Sequence, residues 1–504
     1  MGSKQTEPVE ARRASAPHPR VRATTAAGAG KAGLALVVVA LAGGLAFWRL
    51  GVDPLAQDET TSWFIAQLDI PRFWTAVSTS EANASLYYLM LHAWLGLGES
   101  EGIIRALSAI FATATIPVLY VLARRLFGHW PALAATLLLA VNAYFVAHAQ
   151  EARGYALSAL LVTAASVLFV AGSNRPSTIA WAAYAVVGAA AMYAHFFAAF
   201  TLLAHVLSTV FRARSDFPWR KALPAYAAIA VLVAPLLAFT LTNDRGQIDW
   251  IGEPTVPKLV NGLEELAGGA GPLLLGAYGL FVALTLVAMV VDWRRHGRSR
   301  DVWRHGFVLL WLVSPIVISF AVSFVKPIFQ ARYLLVAAPA LVLTAASPLS
   351  ALRPPRWLIA VAVAGAVALS ASALPGYYGS GSSHWRDVTR QIVDAAERGD
   401  GLVAYAPTVV RPVLYHATRL GARARLPDAI YPPYGWLGFS RTRYEPNVDA
   451  IARRARHHER VWLVKGFARD APRRRESRRL QHRLATSCKQ IGGWARGTLV
   501  LFAC

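Results

Sequence analysis

The chain has 504 residues, of which 55% are hydrophobic and only 16% are charged, and its mean hydropathy is +0.40. A soluble chain of this length would carry about 25% charged residues. The charges are also unevenly spread, because long uncharged runs alternate with short arginine clusters from residue 32 to about residue 374. This pattern excludes an ordinary soluble enzyme and indicates a membrane domain.

The net charge of +23 is concentrated near the C-terminus, where residues 375–504 hold 23 Lys and Arg against 10 Asp and Glu. A basic patch can bind nucleic acid, but this one follows a series of membrane spans and contains no nucleic-acid-binding motif. We therefore expect no nucleic-acid partner. A basic surface of this kind is suited to binding an anionic lipid surface or a polyanionic glycan.

The N-terminal half begins with a polar segment and continues as membrane spans. Residues 1–31 are rich in Arg, Ala, Pro and Ser, and we predict that they form a disordered cytoplasmic N-terminus. The first apolar run is followed by no evident cleavage site, so it is interpreted as a retained span. Uncharged stretches long enough to cross about 30 Å of hydrocarbon predict eleven spans. They are 32–50, 104–123, 130–148, 155–172, 177–194, 196–211, 223–241, 272–291, 306–325, 333–350 and 357–374, with a hairpin turning near His195 between the fifth and the sixth.

Basic loops orient these spans. Every even-numbered span is followed by a cluster of Arg or Lys, such as Arg124 and Arg125, whereas the opposite loops carry acids that include Asp58, Glu81 and Glu151. Because basic loops stay in the cytoplasm, the N-terminus is predicted inside, and an odd number of spans places the C-terminus outside. The composition favours a bacterial plasma membrane.

Three outer segments are too long to be turns, and they are residues 51–103, residues 242–271 and the tail. The first outer loop, residues 51–103, contains the aromatic segment Leu86–Trp94, which is too short to span and is expected at the membrane interface. The tail alternates β-prone runs with Arg-rich helical stretches, which predicts a small extracytoplasmic α/β domain over residues 375–504, after a transmembrane domain over 32–374. The β-prone runs are Leu402–Ala406, Val461–Val464 and Thr498–Phe502, and the helical stretches are Val448–Glu459 and Arg473–Leu484.

The two cysteines, Cys488 and Cys504, both lie in the tail. On an oxidising side of the membrane, a disulfide between them would fix the C-terminus. The alternative is that both thiols are unpaired.

Acidic residues directly beside spans are the first candidates for chemistry. Asp58 and Glu59 follow the first span, and Glu151 ends the third span, on the same predicted face. Carboxylates that converge on one cavity suit a general base for an acceptor hydroxyl, with the other acid holding the acceptor or a metal. The alternative is that they are solvated helix ends.

Cationic residues form the second set. Arg153, Lys326 and Arg332 lie on the outer side and would hold a phosphate or diphosphate leaving group, because neutralising the departing anion lowers the barrier to transfer. Cations that extend from span ends to the interface are the alternative. His92 and His195 fall on the same face, and a divalent metal cation held with Asp58 or Glu151 is possible in principle. No spacing resembles a metal motif, however, which favours ordinary polar packing.

An ordered set of motifs resembles the glycosyltransferase family 39-like group, which includes the protein O-mannosyltransferases and the lipid A aminoarabinose transferases. The motifs are Gln57-Asp-Glu-Thr60, Leu86-Tyr-Tyr-Leu-Met-Leu-His-Ala-Trp94, Glu99 and Glu101 with Ile104-Arg-Ala-Leu-Ser108, Ala123-Arg-Arg-Leu-Phe-Gly128, Gln150-Glu-Ala-Arg-Gly-Tyr155, Tyr193-Ala-His-Phe-Phe197, Ala331-Arg-Tyr-Leu-Leu335 with Pro339, and Trp385-Arg386. One departure is Asn83-Ala-Ser85, where such proteins usually have His or Asn followed by Pro-Pro.

The resemblance implies a multi-span α-helical membrane protein of GT-C fold. It also implies inverting transfer of a sugar, mannose-like or another hexose or pentose, from a polyprenyl-phosphate donor to a glycan, lipid or protein acceptor. Asp58 would be the catalytic base, with Glu59 and Glu151 as further catalytic candidates. Binding of the carrier phosphate and substrate would fall to Arg153, Tyr155, Lys326, Arg332, Tyr333, His195 and His92.

Two other classes of function remain as alternatives. A transporter or flippase of lipid-linked sugars would need ionisable residues within the spans or paired broken helices, and the charges collect at span ends instead. A non-catalytic envelope-assembly protein would tolerate the loss of both outer acids.

Overall fold

The computed structural model describes residues 19–79, 81–242, 251–351, 356–380, 383–434, 447–466, 471–495 and 498–504. The chain opens with one long helix and continues with three short helices in the first loop. These are α1 Pro19–Phe47, α2 Gln57–Ala66, α3 Ile70–Thr79 and α4 Ser85–Trp94. The prediction of disorder through residue 31 is wrong for residues 19–31, because this Ala-rich stretch extends the helix that the apolar span begins. Residues 1–18 lie outside the described residues.

The next six helices build the centre of the membrane domain. They are α5 Glu101–Phe127, α6 His129–Ala140, α7 Ala143–Ala149, α8 Tyr155–Asn174, α9 Thr178–Ala194 and α10 Ala198–Ser208. Helices α6 and α7 form one segment bent by 64°. At the bend, the Asn142 side chain caps α7 by accepting a hydrogen bond from the Phe145 amide at 2.9 Å. The predicted hairpin is confirmed, since α9 ends at His195, whose backbone is extended.

Seven further helices complete the membrane domain. They are α11 Trp219–Thr242, α12 Val256–Ala267, α13 Pro272–His296, α14 Arg300–Val322, α15 Ala338–Ala346, α16 Pro348–Ala351 and α17 Arg356–Ser372. A 3-10 helix, Ala331–Ala337, leads into α15. Segment 331–350 and helix α8 are the most buried candidate spans, whereas α1, α11, α13 and the segment 361–379 are mostly exposed at the periphery.

All eleven predicted spans correspond to helices, but they differ in length. By length and composition, eight segments of the described chain can cross a membrane, or nine if the bent pair α6–α7 counts as one span. The two other predicted spans, α9 and the helical segment 198–211, are shorter apolar helices. At 1.5 Å per residue they reach only about 20–25 Å, because the break at His195 divides the uncharged run. The multi-span helical fold is thus confirmed, with a smaller number of full-length spans.

The tail is a three-layer α/β domain. Its elements are α18 Leu374–Gly379, α19 Trp385–Ala395, β1 Gly401–Tyr405, α20 Val410–Arg419, β2 Asp428–Tyr431, α21 Val448–Ala455, β3 Arg460–Lys465, α22 Ala471–Ala485, β4 Lys489–Trp494 and β5 Leu499–Ala503. The strand order is β2-β1-β3-β5-β4, with parallel pairing around β1 and antiparallel pairing of β5 with both neighbours. Cys488 and Cys504 form a disulfide.

Side-chain alternation in the strands separates the two helical layers. In β3, Val461 and Leu463 pack with α21 and α22, whereas Trp462 and Val464 pack with α19 and α20. We call α19 and α20 the proximal layer, because Tyr415 of α20 belongs to the core of the membrane domain. Helices α21 and α22 are the distal layer, on the other face of the sheet.

Candidate active site

Glu59 lies at the start of α2 and is fully engaged in hydrogen bonds. Its carboxylate accepts from Nε and Nη2 of Arg105 on α5, both at 2.7 Å. It also accepts from the backbone amides of Ala56 at 2.8 Å and Ala152 at 3.1 Å. Because Glu59 is only 2% exposed, these bonds compensate a charge that burial alone would disfavour. Glu59 thereby joins the first turn of α2 to α5 and to the loop 150–154.

Arg105 uses its remaining N–H groups to hold the chain that enters α2. It donates to the carbonyl oxygens of Leu50, Asp53 and Pro54, at distances of 2.7 to 3.2 Å. Arg105 is 6% exposed and therefore depends on these partners. The Glu59–Arg105 pair thus fixes the position and direction of α2.

Asp58 precedes Glu59 and points in another direction, since neighbouring residues of a helix are rotated by about 100°. Its Oδ2 accepts a hydrogen bond from Nη1 of Arg332 at 2.5 Å, and its side chain is 46% exposed. Arg332 lies in the 3-10 helix that opens the 331–350 segment. The hydroxyl of Tyr144 donates to the carbonyl oxygen of Ala331 at 2.6 Å and so positions this turn. Asp58 therefore combines solvent access with a guanidinium partner.

Glu151 lies in the loop between α7 and α8, near the Asp58–Arg332 pair. His148 Nδ1 is 2.8 Å from its carboxylate. Burial alone would raise the pKa of Glu151, but the hydrogen bond and charge of His148 and the charge of Arg332 outweigh burial and lower this pKa. Glu151 is thus held as a carboxylate, with Asp58 near enough to repel it.

Arg153 enters the same region from the same loop. Its Nη1 donates to the hydroxyl of Tyr88 at 2.8 Å, and this hydroxyl donates to Glu81 at 3.1 Å. Its buried Nε has no hydrogen-bond partner, and within the described part of the chain Arg153 forms no ion pair. The loop can approach closely because of Gly154, where an added Cβ would lie 2.6 Å from the carbonyl oxygen of Ala194. Arg153 is therefore a guanidinium with unused capacity to bind an anion.

His195, at the turn between α9 and α10, completes this set. It is 3% exposed, its Nδ1 accepts from the Phe197 amide at 3.2 Å, and its Nε2 has no partner in the described chain. Burial, with added repulsion from Arg153 and Arg332, lowers the pKa of His195 to about 3. The imidazole is therefore neutral at pH 7, and its proton is on Nε2 because Nδ1 is an acceptor.

Aromatic rings form the base of this site. The ring centroids of Tyr155 and Tyr333 lie 6.1 Å apart, and the His195 ring is 5.5 Å from Tyr155 and 4.9 Å from Tyr333. His148 contacts Tyr155 at 5.2 Å. We call the set Asp58, Glu151, Arg153, Tyr155, His195, Arg332 and Tyr333 the loop site. Its members come from four separate segments of the chain.

The two remaining predicted binding residues are His92 and Lys326. His92 bonds through Nδ1 to the carbonyl oxygen of Ala66 at 2.6 Å and packs against the Phe73 ring, so it connects α4 with α2 and α3. Lys326 is exposed in the loop after α14, where its amide donates to the carbonyl of Val322.

Some residues around the site escaped the sequence reasoning as functional candidates. Glu81 and Tyr88 support Arg153, while Arg105 and His148 hold Glu59 and Glu151. His148 stands three residues before Glu151, a helical spacing that could have indicated the pair. Arg105 and Glu59 are 46 residues apart, and no local pattern connects them.

The tail contacts the helix that carries Asp58. Arg411 of α20 donates to the hydroxyl of Thr61 at 3.0 Å and lies over the Phe64 ring at 5.2 Å. Gln57, next to Asp58, donates to the hydroxyl of Thr408 at 2.7 Å. The tail therefore contacts α2 directly, through Arg411 and Thr408.

A metal site finds no support among the described side chains. No group of three or more His, Cys, Asp or Glu residues in the described ranges is arranged to hold an ion. His92 lies away from the acids, and His195 Nδ1 is already bonded. We derive no step through a metal.

Comparisons with known proteins agree with this architecture. The family model described as dolichyl-phosphate-mannose-protein mannosyltransferase matches residues 74–239. The crystal structure of ArnT from Cupriavidus metallidurans in the apo state has 15% identity and a TM-score of 0.64, and the match covers 95% of this chain and 98% of that chain. The structure of the same protein bound to undecaprenyl phosphate has 14% identity and a TM-score of 0.61, covering 94% and 98%. No curated protein matches the chain by sequence.

These matches confirm the resemblance drawn from the motifs. At this level of identity the structural likeness shows the fold, which is GT-C, across nearly the whole chain. The family match covers residues 74–239, and together with the shared fold it supports a membrane glycosyltransferase.

Proposed function

We propose that this glycosyltransferase of GT-C fold transfers a sugar from a polyprenyl-phosphate donor to an acceptor hydroxyl, with inversion, on the outer face of a bacterial plasma membrane. The observation that carries the proposal is the composition of the loop site. An accessible carboxylate, Asp58, lies beside the guanidinium of Arg332, with Arg153 and a neutral His195 nearby. A base for the acceptor and cations for the leaving phosphate are the two requirements of such a transfer.

The donor phosphate binds at Arg153 and Arg332. Arg153 lies just before the span α8 and Arg332 lies in the first turn of the segment 331–350, so both are at the ends of the two most buried spans, where a lipid-linked phosphate would reach them from the bilayer. Nε2–H of His195 offers a neutral donor beside them. Stabilising the phosphate as it departs lowers the barrier to cleavage of the glycosidic bond. The GT-C structure of ArnT bound to undecaprenyl phosphate supports this class of donor.

Asp58 is the base. Its charge is balanced by Arg332 at 2.5 Å. A phosphate that draws the Arg332 guanidinium toward itself weakens this pair and makes the carboxylate a stronger base. Asp58 then removes the proton from the acceptor hydroxyl as the oxygen attacks the anomeric carbon, from the face opposite the phosphate. Inversion follows from this geometry.

Glu151 and Glu59 have other roles in this proposal. Glu151, paired with His148, holds the acceptor or balances the charge of Arg332. Glu59 is saturated by four hydrogen bonds and positions α2 without taking part in the chemistry. The earlier interpretation of Glu59 as catalytic is therefore replaced by a positioning role.

The orientation rests on the charge distribution. Basic clusters follow the even-numbered spans, and the loop site lies at the other ends of the spans, which places it and the tail outside. A donor carried by a lipid suits that face, because cytosolic nucleotide sugars do not reach it.

The test replaces Asp58 with Asn and measures transfer from polyprenyl-phosphate-linked mannose and a panel of other lipid-linked sugars in membranes. We expect transfer to be abolished with the protein still folded, because the amide cannot accept the proton. Asp69→Asn is the matched control, since Asp69 is an exposed acid of the same loop, and it should retain full activity. A fully active Asp58→Asn protein would refute the assignment.

A further inference from the structure

The distal layer carries an excess of exposed positive charge. Among the described side chains of α21 and α22, six arginines are exposed, and they are Arg453, Arg454, Arg475, Arg478, Arg479 and Arg483. Of the acids on these helices, Asp449 is shared by Arg479 at 3.7 Å and Arg483 at 3.2 Å, and Glu476 accepts a hydrogen bond from Tyr405 at 2.6 Å. Asp449 and Glu476 therefore balance only part of the positive charge of these two helices.

The proximal layer is balanced by comparison. Its exposed arginines, Arg390 and Arg419, are equal in number to its exposed acids, Asp387 and Asp394, and Arg390 pairs with Asp387 at 3.8 Å. The remaining arginines have internal partners, Arg386 with Glu101 at 2.8 Å and Arg411 with Thr61 at 3.0 Å. Arginines thus serve packing between domains in one layer and remain on the surface in the other.

The spacing in α22 shows that helix stability does not explain these charges. Arg475, Arg479 and Arg483 follow one another at intervals of four residues, which brings like charges onto one face of the helix, and the one carboxylate of Asp449 offsets only part of their repulsion. The buried face of α22 is formed by Leu480 and Leu484, so these arginines point away from the sheet. An anion bound from outside would relieve the repulsion.

The position of the distal layer separates two kinds of anionic partner. The proximal layer and the sheet lie between the distal helices and the membrane domain. With about 10 Å per layer, the distal arginines lie on the order of 20 Å beyond the face that contacts the membrane domain. The Debye length at physiological salt is about 8 Å, so lipid head groups of the same bilayer are screened from this surface.

We propose that the distal layer binds a soluble acidic polysaccharide in the extracytoplasmic space. The compartment rests on the orientation given under the proposed function, whereas the binding itself is independent of the chemistry at Asp58. A polymer with repeated carboxylate or sulfate groups presents several anions at once, which matches arginines spread over two helices.

The experiment measures binding of fluorescent heparin, as an acidic polysaccharide, to the full chain in nanodiscs at low and physiological salt, with neutral dextran as the control polymer. The double variant Arg475→Glu/Arg478→Glu should lower heparin affinity by at least about tenfold and weaken its salt dependence. Arg390→Glu/Arg398→Glu changes the net charge equally at α19 and the loop after it, and should alter the affinity by less than about twofold. Equal losses in the two variants, or no loss in either, overturn the proposal, because net charge or another surface then accounts for binding.

A second measurement separates the polymer from the bilayer. Modification of Arg475 and Arg478 by phenylglyoxal is followed by mass spectrometry in nanodiscs of zwitterionic lipid and of anionic lipid. Equal rates in both lipids, with protection on adding heparin, support the proposal. Protection by anionic lipid alone would assign the distal layer to the membrane surface instead. Neither readout depends on transfer activity, so failure here leaves the proposed reaction untouched.

Discussion

Two ion pairs at the start of α2 involve adjacent residues and have opposite environments. Glu59 and Arg105 are almost completely buried, and every oxygen and nitrogen of the pair has a partner. Asp58 and Arg332 are partly exposed and lie beside Arg153 and His195, which have unused hydrogen-bonding capacity. The difference teaches that burial and saturation, not residue type, separate a carboxylate that holds the fold from one available for chemistry.

The largest expected effect comes from breaking the buried Glu59–Arg105 pair. Glu59→Gln leaves the buried guanidinium of Arg105 without its counter-charge, and removing one partner of a buried pair costs about 3–5 kcal/mol. We expect the free energy of unfolding to fall by that order, measured by chemical denaturation in detergent.

Asp58→Asn serves as the comparison for this prediction. Its pair is partly exposed, so the loss of stability should stay below about 1 kcal/mol. If the two variants lose equal stability, the distinction between the buried pair Glu59–Arg105 and the partly exposed pair Asp58–Arg332 is wrong.

The second effect is the dependence of stability on pH that His195 of the loop site contributes. The pKa of His195 is lowered from its ordinary value of 6.5 to about 3 by burial and by the neighbouring arginines. The unfolded chain therefore binds a proton below pH 6.5 that the folded chain binds only near pH 3, and stability falls as the pH drops through this window. Between pH 7 and pH 5 this linkage costs about 2 kcal/mol.

His195→Phe tests this linkage because it keeps a ring and removes the titrating group. Unfolding midpoints at pH 7, 6 and 5 should fall more steeply for the wild-type protein than for the variant. Slopes are compared and absolute stabilities are not, since the substitution also changes packing. Parallel slopes would show that His195 does not carry the pH dependence.

Much of the architecture follows from the sequence because a bilayer imposes a length and a composition on each span. The hairpin at His195 and the strands β1, β3 and β5 also follow from local pattern. Strand β4 does not, since Lys489–Trp494 is an edge strand with exposed side chains and two glycines, and it lacks apolar alternation.

The site was predictable in part. Adjacency to spans brings Asp58, Glu151, Arg153 and Arg332 to one end of the bundle, and charge alone suggests their grouping. The directions of Asp58 and Glu59 were not predictable, because a rotation of about 100° decides which acid meets Arg105, and that depends on tertiary packing. The contact of Arg411 with Thr61, 350 residues away, is likewise invisible to any local pattern.

A smaller effect on stability than at Glu59, and the sharpest test of the loop site, are expected at Arg153. Unlike Arg105, it forms no ion pair within the described chain, and its side chain donates to the hydroxyl of Tyr88. Arg153→Gln should therefore cost less stability than Glu59→Gln while removing a charge-assisted bond to the donor phosphate. We expect about tenfold weaker binding of undecaprenyl phosphate, measured by native mass spectrometry. Undecaprenol, which lacks the phosphate, should bind both proteins equally, and Arg72→Gln, at an exposed arginine of the first loop, should bind the phosphate normally. If the variant binds undecaprenyl phosphate as tightly as the wild-type protein, the unused capacity of Arg153 serves another ligand, and the phosphate site must be sought elsewhere.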